Sequence, residues 1–215
     1  MSDTLKTSNS TVKRGPKRAQ YDVATAHKII DDTLICHVGQ QMNDQVFVTP
    51  TCHWREGDYL YWHGHGKARN THGASKTAAK VCINICELDG LVLARSAFHH
   101  TVNYRSVTLF GVPENIEDYD EKMRHFELFV NKVSPERWSQ LRPVTDQEVN
   151  ATSLVRIKID EASVKLRAEG AIDDAEDMDW PVWAGVMPLE KHWQPVQQDS
   201  HQTETYPEPI PPKAF

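Results

Sequence analysis

The chain has 215 residues, enough for one domain with tails or for two small domains. It is 39% apolar and 25% charged with a formal net charge of −6, so it can bury a core but has no overall basic field for nucleic acid. No stretch approaches the roughly 20 apolar residues needed to span a bilayer.

Residues 1–18 (MSDTLKTSNSTVKRGPKR) lack the apolar core of a secretory signal and are basic and rich in Ser and Thr. They read as a disordered basic arm, with an organelle transit peptide as the weaker alternative. Val23, Ala26, Ile29 and Ile30 recur at helical spacing and predict a short helix leading into a strand over Leu34–Val38. Asp44–Thr51 is a β-branched run stopped by Pro50, Arg55–Asp58 a turn, and Tyr59–His63 an aromatic-rich strand. The first two strands form a hairpin in this reading. A Gly- and His-rich loop follows, then a short helix over Ala74–Lys80 and a strand over Val81–Glu87. Leu88–Gly90 reads as a turn, Leu91–Arg95 as the returning strand, and Tyr104–Gly111 as a further strand.

Ile116–Lys132 is the clearest helix, with Met123, Phe126, Phe129, Val130 and Val133 on one stripe and Pro135 as its stop. Thr145 and Glu148 have capping-box spacing for another short helix. Late strands fall at Leu154–Ile159 and Ser163–Arg167, and residues 190–215 read as a polar, Pro-rich tail. The expected domain is therefore 19–189. Its short antiparallel strands with inserted helices predict a mainly β fold, a small barrel with peripheral helices, and argue against a parallel α/β sheet.

Cys36, Cys52, Cys82 and Cys86 sit in apolar or strand-like contexts without a C-x-x-C, which fits buried free thiols in a reducing cytoplasm. The segment SAFHHTVNYRS (96–106) places two histidines, an Asn, a Tyr and an Arg between core strands, a costly arrangement unless those groups have partners. A hydrolytic triad from His99, His100, Ser96 and Asp89 has no G-x-S-x-G elbow to support it. Gly57 and His63-Gly64-His65 begin like a metal-binding cupin motif, but Arg69 and Asn70 stand where its Glu belongs, so no metal is expected. The loop HGHGKAR reads better as a phosphate site: its glycines expose backbone N–H groups, and Lys67 and Arg69 add charge. It is neither a Walker loop nor a Rossmann turn. Trp180 and Trp183 can lid a core or cap a planar ligand.

Together LYWHG, the basic loop, LDGLVLARSAFHHTVNYRSVTLFG and WPVWAGVMPL resemble the flavin-nucleotide-binding split barrels, relatives of pyridoxamine 5′-phosphate oxidase and of nitroimidazole-resistance reductases. The resemblance covers about Lys17 to Leu189. It implies a six-stranded antiparallel split barrel and a homodimer with FMN at the interface. It matches Val48, Thr49, Pro50 and Thr51 to the strand lining the isoalloxazine, and Trp62, His63 and Gly64 to the strand end beside the ribityl-phosphate. Arg69 matches the phosphate arginine with Lys67 as auxiliary, Ala68 replacing the usual serine. Arg105 and Ser106 match polar contacts from the facing side, and Trp183 a ring cap.

The oxidase's arginine and histidine for pyridoxamine phosphate are not matched by Lys165 and Arg167. The resemblance therefore implies an FMN-dependent reductase of a small acceptor fed by NAD(P)H. A flavin module without turnover, or a haem- or deazaflavin-binding member with His63, His99 or His100 as haem ligand, are the alternatives. Arg69→Ala is expected to weaken FMN binding by about 1.5–3 kcal/mol, the scale of a hydrogen bond to a charged group, measurable by flavin titration.

Overall fold

The computed structural model describes residues 4–68, 71 and 79–212. Among the described residues, ten strands form one open antiparallel sheet: β1 (Ala19–Gln20), β2 (Ile35–Met42), β3 (Gln45–Glu56), β4 (Tyr59–His65), β5 (Val81–Leu93), β6 (Thr101–Gly111), β7 (Glu114–Ile116), β8 (Thr152–Lys158), β9 (Ala162–Arg167) and β10 (Gly185–Pro188). Their order is β1-β9-β6-β5-β2-β3-β4-β8-β7, with β10 on β5. The α-helices given in full among the described residues are α1 (Val23–Asp31), α2 (Tyr119–Val133) and α3 (Asp146–Ala151). No helix among the described residues is long and apolar enough to cross a membrane.

The expected β2–β3 hairpin forms. Met42 pairs with Gln45, and Asn43 and Asp44 take φ of 48° and 62°, the left-handed pair that a two-residue turn requires. The next turn uses Gly57 at φ 56°. β3 is shared between two half-sheets: Gln45–Cys52 pairs with β2, and His53–Glu56 pairs with β4. The split of the barrel lies where β3 changes partner.

Inside the barrel, Trp62, Leu60, Ile83, Ile85, Leu109 and Ile157 join Ile30 of α1 in the main core. Asp22 caps α1 by accepting from the Thr25 N–H at 2.8 Å. The capping box of Thr145 and Glu148 starts α3. A second cluster of Trp54, Tyr61 and Leu154 lies outside, with Phe129 of α2 packed on it.

Four expectations change. Leu88–Gly90 is not a turn: β5 runs straight through with a bulge. Gly90 serves close approach, because a Cβ there would lie 2.7 Å from the Met187 carbonyl of β10. The residues α2 buries fully are Lys122 and His125, whereas Val133 of its apolar stripe is exposed. Lys122 reaches the Val149 carbonyl of α3 with its ammonium at 2.9 Å, which lets a cation sit inside. Cys36 is buried, but Cys52 and Cys82 are half-buried and Cys86 is exposed.

The arm is the fourth change. Leu5 is 2% exposed within the main core; its N–H donates to the Tyr21 carbonyl, and its own carbonyl accepts from the Ala162 N–H. Residues 5–12 are therefore held on the barrel, by Leu5 in the core and by the hydrogen bonds of Thr7 to Glu161 and of the Val12 N–H to the Tyr21 hydroxyl. Residues 190–212 form no regular element, and Ser134 Oγ donates to the Ile210 carbonyl at 2.8 Å. Of the helix expected over Ala74–Lys80, all but Ala79 and Lys80 lies outside the described residues. Leu5→Ala is expected to destabilise the fold by about 2–4 kcal/mol, read by denaturant unfolding; a disordered arm would give no change.

Candidate functional site

Past residue 62, β4 leaves β3. His63, Gly64 and His65 pair with Leu154, Ser153 and Thr152 of β8, while Thr49, Pro50 and Thr51 of β3 pair with β2. Two strand edges thus diverge, and their facing backbone groups are not tied to each other in the ladder. The turn after β4 closes the end of this notch: the Gly66 N–H donates to the Ala151 carbonyl at 3.0 Å, and the Lys67 N–H to His65 Nδ1 at 3.2 Å. Lys67 is exposed; Arg69 lies outside the described residues.

The expected residues divide around this notch. Val48, 64% exposed, and Pro50 lie on the outer face opposite Gly39 and His37. Thr49 and Thr51 share the inward face of Val38 and Cys36 and are half-buried. The Trp62 side chain is fully buried in the main core, so only its backbone faces the notch. Gly64 is half-buried. His63 lies between Phe129 and Trp54, with ring centroids at 4.6 and 5.7 Å. Its Nδ1 is buried without a partner, and burial pulls its pKa below the usual histidine value, so the ring is held neutral.

Arg105 and Ser106 form a separate group. β6 is three strands from β3, about 14 Å at ordinary strand spacing. Arg105 pairs with Asp89 at 2.7 Å, and its Nε is buried without a hydrogen-bond partner. Ser106 Oγ is 3.5 Å from the Lys165 carbonyl. Trp183, 61% exposed, packs its indole over Gly185 at the start of β10, beside the far end of β5. One chain therefore does not bring Val48–Thr51, Arg105–Ser106 and Trp183 around a single small ring.

The polar segment between the strands has a local purpose. Arg95 donates from its backbone N–H and its guanidinium to Asp173 at 2.8 and 3.0 Å. His99 Nε2 lies 3.2 Å from Asp174, and His100 Nδ1 donates to the Ser96 carbonyl at 2.9 Å. Asn103 donates to the Glu169 carbonyl at 3.1 Å and accepts from Arg167, which is also buried. These groups fasten the ends of β5 and β6 to the chain after β9.

Reasoning from sequence missed a shallow hollow of about 550 Å³ on the outer face, where Gly39, His37, Cys82, Asn84, Lys80 and Phe110 meet Val46 and Val48. Its trace in sequence is the alternation of small and polar residues opposite core positions on β2 and β5. Burial raises the thiol pKa of Cys82 and of Cys86, so neither is an activated nucleophile.

The sequence profile of the pyridoxamine 5′-phosphate oxidase family matches residues 22–166, two thirds of the chain. The chain belongs to this family. Among solved structures of similar fold, the flavocytochrome Anf3 from Azotobacter vinelandii is 40% identical, covers 94% of each chain and has a TM-score of 0.90. The FAD and haem binding protein from Mycobacterium smegmatis is 27% identical over 89% of this chain and 94% of its own, with a TM-score of 0.84. A candidate 5-nitroimidazole antibiotic resistance protein from Bacteroides thetaiotaomicron is 20% identical over 68% of this chain and 85% of its own, with a TM-score of 0.56, which shows the shared fold. No curated protein matches. This pyridoxamine 5′-phosphate oxidase family member has the expected antiparallel split barrel, and the relatives include flavin-binding and haem-binding chains.

Asn103→Leu removes one acceptor of the buried Arg167, whose guanidinium keeps the Glu169 and Gly170 carbonyls. It is expected to cost about 1–3 kcal/mol of stability and to leave flavin affinity unchanged. Parallel unfolding and flavin titrations check both halves.

Proposed function

We propose that the protein is a flavin- and haem-binding redox protein, a flavocytochrome, and not an oxidase of pyridoxamine phosphate. The observation that carries this is the 40% identity over 94% of the chain to a protein named as a flavocytochrome. The second relative, named for FAD and haem, favours FAD over the FMN expected from sequence.

The residues fit both groups. A flavin needs a flat apolar wall and donors for its ring oxygens and phosphates. Val46, Val48 and Phe110 supply such a wall, Arg105 has an unsatisfied Nε, and Lys67 stands exposed on the loop after β4. A haem needs a neutral imidazole in apolar surroundings. Of the histidines considered for that role, His99 and His100 are engaged in their own loop, whereas His63 is neutral, lies among aromatic rings and has an orphaned nitrogen. When bound, the flavin exchanges one or two electrons and the haem one.

The separation of Arg105–Ser106 from Val48–Thr51 supports a homodimer, in which the two groups of one site come from two chains. A small molecule is then the electron acceptor, with NAD(P)H as donor. Around the cofactors, the chain's residues hold the ring against the sheet, keep His63 unprotonated and present Lys67 and Arg105 to negative charge.

The test is the visible spectrum of the purified protein, before and after added flavin and haem. Flavin bands together with a Soret band are expected, and His63→Ala should lose the Soret band while keeping the flavin bands. A colourless protein that binds neither group overturns the reading, and an unchanged Soret band in His63→Ala moves the haem ligand elsewhere.

A further inference from the structure

The basic arm at the start of the chain carries charge that the fold does not neutralise. Residues 4–21 hold five cations, Lys6, Lys13, Arg14, Lys17 and Arg18, and no carboxylate, in a chain of net charge −6. Lys13, Arg14 and Lys17 are exposed, and none of them has an ion-pair partner among the described residues. Arg18 has a single contact of 3.4 Å with Glu169, a carboxylate that also lies 3.7 Å from the buried Arg167. Lys165 of β9, in register with Ala19 of β1, adds a further ammonium without an ion pair among the described residues.

These cations are held in a shaped turn. Gly15 takes a φ of 70°, and the Arg18 N–H closes the turn on the Gly15 carbonyl at 3.1 Å. On one side the Val12 N–H donates to the Tyr21 hydroxyl at 2.8 Å, and on the other β1 pairs with β9. Like charges fixed close together repel one another, so the free protein bears a cost for this arrangement. The turn also has a defined place on the sheet. Ser106, Lys165 and Ala19 form one row across β6, β9 and β1, which sets the start of β1 about 10 Å from Ser106 at ordinary strand spacing.

We propose that this turn is the docking surface for an acidic electron-transfer protein. A carboxylate-rich face is attracted here and repelled by the net negative remainder of the chain, so charge sets both where it binds and in which orientation. Other polyanions fit less well. Between Lys13 and Arg18 there is no aromatic side chain to stack on bases and no large apolar one to enter a lipid surface, and Val12 is half-buried. The docking rests on charge and geometry, whereas its use rests on reading Arg105–Ser106 as part of the flavin site. In each encounter one electron leaves the partner's reduced iron–sulfur centre and enters the flavin. Two encounters supply the electron pair that a small acceptor takes up with two protons from solvent. The partner is then a donor alongside NAD(P)H.

The experiment uses the full chain and two small redox proteins of opposite charge, a plant-type iron–sulfur ferredoxin, which is acidic, and mitochondrial cytochrome c, which is basic. Calorimetric titration is expected to show binding of the ferredoxin and not of the cytochrome, with affinity falling about tenfold or more between about 20 and about 200 mM salt. The triple variant Lys13→Glu, Arg14→Glu, Lys17→Glu should lose this binding, while Arg137→Glu, an exposed arginine after α2, should keep it. If the triple variant does not fold, the single variants Lys13→Gln, Arg14→Gln and Lys17→Gln decide the matter, each weakening the binding in part. No binding of the ferredoxin, or binding unchanged by these variants, overturns the proposal. So does turn-dependent binding of anionic phospholipid vesicles or duplex DNA that the ferredoxin does not displace. Reduced ferredoxin is then mixed with the flavin-loaded protein. The flavin bands should bleach, and about tenfold or more slowly in the triple variant, with the rate of reduction by dithionite unchanged. Binding without bleaching keeps the docking surface and removes its use toward the flavin. A chain that takes up no flavin removes the cofactor reading and leaves the binding result to stand or fall alone.

Discussion

Every backbone donor in a sheet needs a partner, and β3 has to satisfy two of them in turn. Its first eight residues form the ladder with β2 and its last four the ladder with β4. The two ladders use different residues of β3, and β4's last residues, His63–His65, pair with β8 and not with β3. The notch follows from that exchange. The core does too: residues of both half-sheets, such as Val38, Ile83, Leu60 and Ile157, meet in one apolar interior only because β3 joins the halves.

Much of this was legible in sequence, for physical reasons. The β2–β3 hairpin shows in two β-branched runs about Asn43-Asp44, α1 in the spacing of Ala26, Ile29 and Ile30, and α3 in the Thr145–Glu148 box. What was not legible depends on distant chain. Leu88-Asp89-Gly90 has the composition of a turn, and only the arrival of β10, about a hundred residues later, explains why Gly90 is small. Leu5 is one apolar residue in a polar run, too little for any periodic signal, yet it fills a place in the core. β1, β7 and β10 are two to four residues long, shorter than a pattern can register.

The candidate site was legible by resemblance more than by residue pattern. Val48–Thr51 and His63–Gly64 do border the split, but Trp62 alternates inward, as the pleat of β4 demands. The His99-His100 segment illustrates the opposite error. Its density of polar groups looks like a ligand site, but Asp173, Asp174 and the carbonyl of Glu169 partner Arg95, His99 and Asn103, while Ser96 Oγ and Arg105 Nε stay buried without a partner. The quieter His63 keeps an unpartnered nitrogen. An unsatisfied group says more about a ligand than a crowded motif does.

The central claim is that the divergence of β3 and β4 makes the cofactor site. Hydrogen–deuterium exchange of the protein with and without bound flavin tests it most directly. The account predicts slowed exchange on flavin binding along Thr49–Thr51 and along His63–Lys67 together. Protection confined to other strands, with both edges of the notch unchanged, would contradict it.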